Sequence, residues 1–332
     1  MIIELKSTIN IEVAEKLAIE SKAFHIIYNE KSYLITGSGV KEVPVNLIDL
    51  SENHWVFAND LQLASSKFLT GKREVKIGNV IIGGNTKNTV IIGGPCSVES
   101  EEQITTSAKF IQGLGLKVLR GGCYKPRTSP YSFQGMGLDG LKLLAKMREQ
   151  FGLTVITEAR DATHIQEIIE YSDVIQVGAK AMYDQGILRA CAKTQKPVLI
   201  KRGFGTTLQE FVQAAEFVLA GGNPNVILCE RGIRTFETGT RFTLDLCGVA
   251  WLKEHTNLPV ILDPSHAMGY TYGVADLARA CVAMGIDGLL VETHPDPSVA
   301  KSDASQQLNH KQFEELISSL RPVATSVGYN II

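Results

Sequence analysis

The chain has 332 residues, 44% of them hydrophobic and 20% charged, with 33 basic side chains against 35 acidic ones. At roughly 100–200 residues per domain that allows one large domain or two modest ones, and it excludes disordered, collagen-like and disulfide-scaffold classes. A formal charge of −2 with no basic arm predicts neither nucleic acid nor a membrane surface as a partner.

The N-terminal stretch MIIELKSTINIEVAEK carries acids where a signal peptide needs a basic start, and no apolar run nears the ~18 residues of a membrane helix. Six cysteines at 96, 123, 191, 229, 247 and 281 include no C-x-x-C pair, which fits a reducing cytoplasmic setting. Within residues 1–70, IIELK, HIIYNE and SYLITG read as short strands around a helix over 9–21, a small α+β domain. VKIGNVIIGG (75–84) alternates about a Gly78-Asn79 turn and predicts a β-hairpin that leads into or plugs the larger domain after it.

From about residue 88 one rhythm repeats. Apolar runs at 89–96, 117–122, 153–159, 174–180, 197–203, 225–232, 259–266 and 288–295 end in polar or glycine clusters, and helix-period segments such as 207–222 separate them. Such runs suit strands buried on both faces. Eight β-α units over residues 71–332 predict a (β/α)8 TIM barrel, with a doubly wound open sheet as the competing topology.

Nearly every run ends in a residue capable of chemistry: Cys96, Arg120, Glu158, Lys180, Lys201, Arg231, His266 and Glu292. In a barrel these ends meet at one mouth. Cys96, His266, Glu292 and Asp303 offer a mixed sulfur, nitrogen and oxygen set for a borderline divalent ion such as Mn, Fe, Co or Zn. Taken singly, each has a bland reading: Cys96 as a small buried hydrophobe, His266 as a satisfied turn histidine. The cations Arg120, Lys125, Arg127, Lys180, Lys201, Arg202, Arg231 and Arg234 predict a pocket for more than one anionic group. Two or three of these could be solvated loop charges, Arg202 foremost, because it follows Lys201 and points to the other face. A Schiff base on Lys180 or Lys201 is the rival chemistry, and it needs no metal quartet.

Longer motifs carry a family likeness. GPCSVES (94–100), LRGGCYKPRTSPYSFQG (119–135), KPVLIKRG (196–203), ILCERGIRTFE (227–237), DPSH (263–266) and ETHPDPSVAKSD (292–303) resemble the type I 3-deoxy-D-arabino-heptulosonate 7-phosphate (DAHP) synthases. The likeness is to the β subgroup, related to the 3-deoxy-D-manno-octulosonate 8-phosphate (KDO8P) synthases, and KPRTSPYSFQG favours the DAHP branch. The first 70 residues resemble, more weakly, a ferredoxin-like regulatory module.

The resemblance implies a cytoplasmic, metal-dependent homo-oligomer, dimer or tetramer. It would condense phosphoenolpyruvate with erythrose 4-phosphate and release phosphate, at the head of the shikimate route to aromatic amino acids. The implied metal ligands are Cys96, His266, Glu292 and Asp303, with Mn2+ foremost and Fe2+, Co2+ or Zn2+ as alternatives. Arg120, Lys125, Lys180, Lys201 and Arg231 would hold phosphoenolpyruvate, and Arg127 and Thr128 the sugar phosphate. Lys125 and Glu158 would exchange protons, while the metal held by Cys96 and His266 polarises the aldehyde.

Several positions depart from the family. Where relatives read G-A-R-N-M-Q this chain has Gly178-Ala179-Lys180-Ala181-Met182-Tyr183, so a fork becomes a point charge. T-R-N-T-L-D has become Thr240-Arg241-Phe242-Thr243-Leu244-Asp245, the two arginines after DPSH-x-x-G read Tyr270-Thr271, and Ala304 follows Asp303 where glycine is usual. The alternative reading is therefore a paralogue that joins phosphoenolpyruvate, or a related enol, to another aldehyde.

Overall fold

A computed structural model describes residues 1–125 and 129–332. Strands β1 (Ile2–Leu5), β2 (Phe24–Tyr28), β3 (Lys31–Ile35) and β4 (Ser51–Trp55) form an antiparallel sheet in the order β2-β3-β1-β4. Helix α1 (Ile11–Glu20) starts at Asn10, whose side chain accepts from Val13 N. Alternation sorts the strand side chains. Ile3, Leu5 and Leu34 meet Ala14, Leu17 and Ala18 of the helix, whereas Ile2, Ile26, Tyr33 and Ile35 face the other way, against Phe57, Leu63 and Phe68 and the barrel's outer core.

The strand order is that of a ferredoxin-like sheet, but only a 3-10 turn, Val45–Leu50, stands where a second helix would lie. Strand β4 carries no sequence signal. SENHW is polar because it is an edge strand with mostly exposed side chains. The segment after it clings to the barrel: Arg73 bonds Asn257 and the Leu63 carbonyl, and Asn257 N donates to Ala64 O.

The hairpin forms as β5 (Glu74–Ile77) and β6 (Val80–Gly83). Gly78 takes φ +54°, and a Cβ there would lie 2.2 Å from Thr154 Oγ1, so its turn admits only glycine. Eight parallel strands come next: β7 (Asn88–Gly94), β8 (Val118–Arg120), β9 (Thr154–Ala159), β10 (Val174–Val177), β11 (Val198–Lys201), β12 (Val226–Glu230), β13 (Val260–Leu262) and β14 (Gly288–Glu292). They pair in sequence order and β14 closes onto β7, which excludes the open sheet. Helices α2 (Glu101–Gly113), α3 (Gly137–Phe151), α4 (Ile165–Tyr171), α5 (Gln185–Ala192), α6 (Leu208–Ala220), α7 (Leu246–His255), α8 (Pro264–Met268), α9 (Thr271–Ala283) and α10 (His310–Ser326) come between and after them.

Period-2 alternation fills both sides of the ring. Val90, Ile92, Val118, Ile156, Leu199, Ile261 and Leu290 pack inward on Val75, Ile77, Val80 and Ile82, so the hairpin plugs the end where the strands begin. Ile91, Leu119, Val155, Leu228 and Val291 pack outward in the larger core that holds the helices. The apolar runs overshoot the strands at their C-terminal ends. β13, for instance, stops at Leu262 because Asp263 turns to cap α8. Among the described residues no helix is long and apolar enough to cross a membrane.

Candidate active site

Barrel closure brings the distant motifs together. Glu292 pairs with Gly94 across β14 and β7, which sets Cys96 beside Glu292. On its other side Gly94 lies so close to β8 that a Cβ on it would sit 2.2 Å from the Arg120 carbonyl. Cys96, Glu292 and Asp303 each offer a ligand atom within 4.8 Å of the others. His266 comes from α8, its Nε2 3.6 Å from Glu292 Oε1. Asp303 has φ +46°, a left-handed conformation that aspartate tolerates. The positive φ falls on Asp303 itself and not on Ala304, so the loop has no need of the family's glycine.

Neighbours orient these donors. Asp263 Oδ1 accepts from His266 N, capping α8, while its Oδ2 lies 2.7 Å from His266 Nδ1 and 2.5 Å from Lys201 Nζ. Burial would raise the Asp263 pKa, but His266 and Lys201 overcome it and hold the carboxyl well below the usual range. Gln306 Nε2 donates to Glu292 Oε2 at 2.6 Å, and Cys96 N donates to Gln307 Oε1 at 2.9 Å. Burial, reinforced by the Glu292 and Asp303 carboxylates, pushes the Cys96 thiol up to about 12. A thiolate so disfavoured needs compensating cations beside it: Lys125 Nζ, 3.0 Å from the sulfur, is one, and the adjoining Glu292 and Asp303 carboxylates add negative charge that a metal ion would balance. That donor set fits a borderline divalent metal.

Beside the donors lies a cavity of about 450 Å³ lined by Lys125, Glu158, Lys180, Lys201, Phe204, Arg231, Arg234, Arg241, Phe242, His266 and Asp303, with Ala179. Lys125 Nζ sits 3.0 Å from both Cys96 Sγ and Cys96 O. Glu158 Oε2 accepts from Gln176 Nε2 at 2.6 Å. Arg231 is only 4% exposed, and its Nε and Nη1 have no hydrogen-bond partner among the described residues. Lys180 also lines the cavity but is exposed.

Arg120 is differently employed: it donates to Glu292 Oε1 at 2.8 Å and to the Pro95 carbonyl at 2.7 Å, and it is not among the lining residues. Arg127 and Thr128 lie outside the described residues. Arg202 does point away from the mouth, but it is no solvated charge. It is 4% exposed and pairs with Glu230 at 2.9 Å and Asp245 at 2.8 Å. Tyr183 sits with Glu210 beside α5 and α6, away from the cavity.

Asp263, Gln306, Gln307 and Phe242 are the site residues that sequence reasoning left without a role. Asp263 had a signal, as the N-cap of the DPSH turn. Gln306 and Gln307 had none, since their contacts depend on how the loop after Asp303 folds back. The Schiff-base alternative loses ground on geometry: Lys201 is engaged with Asp263, and Lys180 stands in solvent.

Comparison with known proteins agrees with this arrangement. Residues 64–327 match the DAHP synthetase I family. A phospho-2-dehydro-3-deoxyheptonate aldolase of Thermotoga maritima is 43% identical over 270 residues, covering 81% of this chain and 79% of its own. A 2-dehydro-3-deoxyphosphooctonate aldolase of Fusobacterium nucleatum is 32% identical over 74% of this chain and 93% of its own. The crystal structure of the Thermotoga maritima DAHP synthase superposes with a TM-score of 0.80 at 36% identity, covering 100% of this chain and 98% of that one. A truncated form of the Thermotoga maritima enzyme gives 0.76 at 40% identity, covering 81% and 98%.

Proposed function

Because this chain belongs to the DAHP synthetase I family, we propose that it condenses phosphoenolpyruvate with erythrose 4-phosphate to give DAHP and inorganic phosphate. The observation that carries the reading is the meeting of Cys96, Glu292 and Asp303, with His266 Nε2 3.6 Å from Glu292 Oε1, beside a cavity lined by the cations Lys125, Lys180, Lys201, Arg231, Arg234 and Arg241. The four donors would hold one divalent ion, Mn2+ or a chemically similar one, which when bound supplies a Lewis acid for the aldehyde oxygen.

The remaining work belongs to the side chains. Arg231, Lys201 and Lys180 hold the phosphate and carboxylate of phosphoenolpyruvate at the cavity wall. C3 of the enol attacks the aldehyde carbon, the aldehyde oxygen takes up a proton, and positive character develops at C2. Water adds at C2 and gives up a proton, and the C2 hydroxyl so formed passes its remaining proton to the departing phosphate as the C2–O(phosphate) bond breaks and the C2 carbonyl forms. Lys125 and Glu158, on opposite sides of the charge balance, are the groups within the cavity able to give and take those protons. Arg120 holds Glu292 in place.

The ring pair Phe204 and Phe242 in the lining supports a second reading, in which the acceptor aldehyde is less polar than a tetrose phosphate. One experiment separates the two: phosphate release from phosphoenolpyruvate, measured across a panel of aldose phosphates and unphosphorylated aldehydes. Fastest turnover with erythrose 4-phosphate, lost with EDTA and restored by Mn2+, is expected. Preference for another aldehyde moves the assignment to the second reading. Activity untouched by EDTA, with substrate trapped on a lysine by borohydride, overturns both.

The N-terminal module, residues 1–70, is the proposed regulatory domain on the barrel of 71–332. The assembly we propose is a homodimer or homotetramer, supported by the apolar Phe24 and Ile27 exposed on edge strand β2.

A further inference from the structure

The cations of the site are held in two different ways. Arg120 donates to Glu292, Lys201 to Asp263, Lys125 to the Cys96 sulfur and carbonyl, and Arg202 to Glu230 and Asp245. Among the described residues Arg231 has no such partner. Its Nε and Nη1 are buried and unbonded among the described residues, and its guanidinium carbon lies 4.4 Å from the centre of the Phe242 ring. Asp263 favours the charge only at longer range, against the burial that disfavours it.

The choice of support matters chemically. A carboxylate would fix the guanidinium by occupying its N–H fork, leaving less for a ligand. A ring face attracts the cation through its quadrupole and uses none of the donors. We propose that Phe242 is a positioning residue for phosphoenolpyruvate binding: its ring holds the Arg231 guanidinium in place while using up none of the N–H donors that an anion needs. This rests on the reading that Arg231 binds phosphoenolpyruvate.

The ring is itself well seated. Phe242 N donates to Ala267 O at 3.0 Å, and the adjacent Thr243 bridges to Ile233. Its ring stacks on Phe204, with centroids 5.5 Å apart and planes at 28°. Gly232, at φ +99°, makes room for it, since a Cβ there would sit 2.7 Å from Phe242 Cβ. Arg241 lies over the same Phe242 ring at 5.6 Å, and Phe204 carries Arg234 over its own ring at 4.8 Å, so three arginines of the cavity sit over ring faces. The asparagine of the T-R-N-T-L-D pattern, where this chain has Phe242, has no ring face.

The test is a steady-state series on the metal-loaded full chain: Phe242→Leu, Phe242→Tyr, Arg231→Gln and the double variant Phe242→Leu/Arg231→Gln. Phe242→Leu raises KM for phosphoenolpyruvate about three- to tenfold with kcat within about twofold, as losing a partly desolvated cation–π contact predicts. Phe242→Tyr keeps the parent KM, and Phe242→Leu adds nothing further on the neutral Arg231→Gln background. Arg231→Gln leaving KM unchanged refutes the assignment of Arg231 to phosphoenolpyruvate. Arg231→Gln raising KM while Phe242→Leu does not refutes the role of Phe242 alone. Equal losses in kcat and KM in both Phe242 variants, or additive effects in the double variant, mean that Phe242 only supports the fold, and that too overturns the inference.

Discussion

Exposure separates two cations that the sequence treats alike. Lys180 and Arg231 both follow barrel strands and both line the cavity, but Lys180 is exposed and Arg231 is 4% exposed with donors unbonded. Replacing each by alanine removes one positive charge from the proposed phosphoenolpyruvate site. A charge-assisted hydrogen bond from a desolvated group contributes about 1.5–3 kcal/mol, so Arg231→Ala raises KM for phosphoenolpyruvate by about 10- to 150-fold. An exposed charge contributes about 0.2–1 kcal/mol after screening, so Lys180→Ala raises KM only about two- to fivefold. Lys180→Arg then gains little, because water competes with the added fork. Raising ionic strength from low salt to about 0.5 M shrinks the Lys180→Ala effect towards none and leaves most of the Arg231→Ala effect. Initial rates of phosphate release against phosphoenolpyruvate concentration at the two salt levels measure all of this. A Lys180→Ala effect as large as that of Arg231→Ala, or one that persists in salt, refutes the reasoning from exposure.

Cys96→Ala should abolish most activity while melting within a few degrees of the parent, since the thiol serves the donor cluster. Cys123→Ala, which truncates a fully buried side chain outside the cavity, should keep activity and cost about 1 kcal/mol of stability, read from parallel melts and rates. At the junction of module and barrel, Glu216 Oε1 accepts from Gln62 N at 2.7 Å and Ala64 N at 2.8 Å, and burial raises its carboxyl from the ordinary 4.5 to about 7. The folded state therefore binds this proton more tightly than the unfolded chain. Stability from this group is fully present below about pH 4.5 and falls by about 3 kcal/mol as pH rises through 7. Glu216→Gln should flatten that loss, and denaturation curves at pH 5 and 8 that stay parallel for parent and variant would sink the idea. A chain starting at residue 72 should still release phosphate but melt lower, because Leu63 and Phe68 leave the core and Glu216 loses both amide donors.

By itself the sequence determined the barrel and most of its mouth. Strands buried on both faces must be apolar throughout, so Thr89–Ile92, Val198–Ile200 and Val226–Cys229 announce themselves, and the residue after each run marks the strand end where chemistry collects. It also determined the hairpin, through the one turn Gly78-Asn79 allows. What it could not carry was anything set by side-chain pairing across the mouth. Arg202 and Lys201 are adjacent letters, yet one is locked to Glu230 and Asp245 and the other to Asp263, because alternation sends them to opposite faces and burial then demands counter-charges. Strand β4 went unsignalled because an edge strand needs no apolar alternation. The unbonded fork of Arg231, the ring of Phe242 beneath it and the exposure of Lys180 were decided only by tertiary structure, since each depends on which loops close over the barrel and how much water they leave.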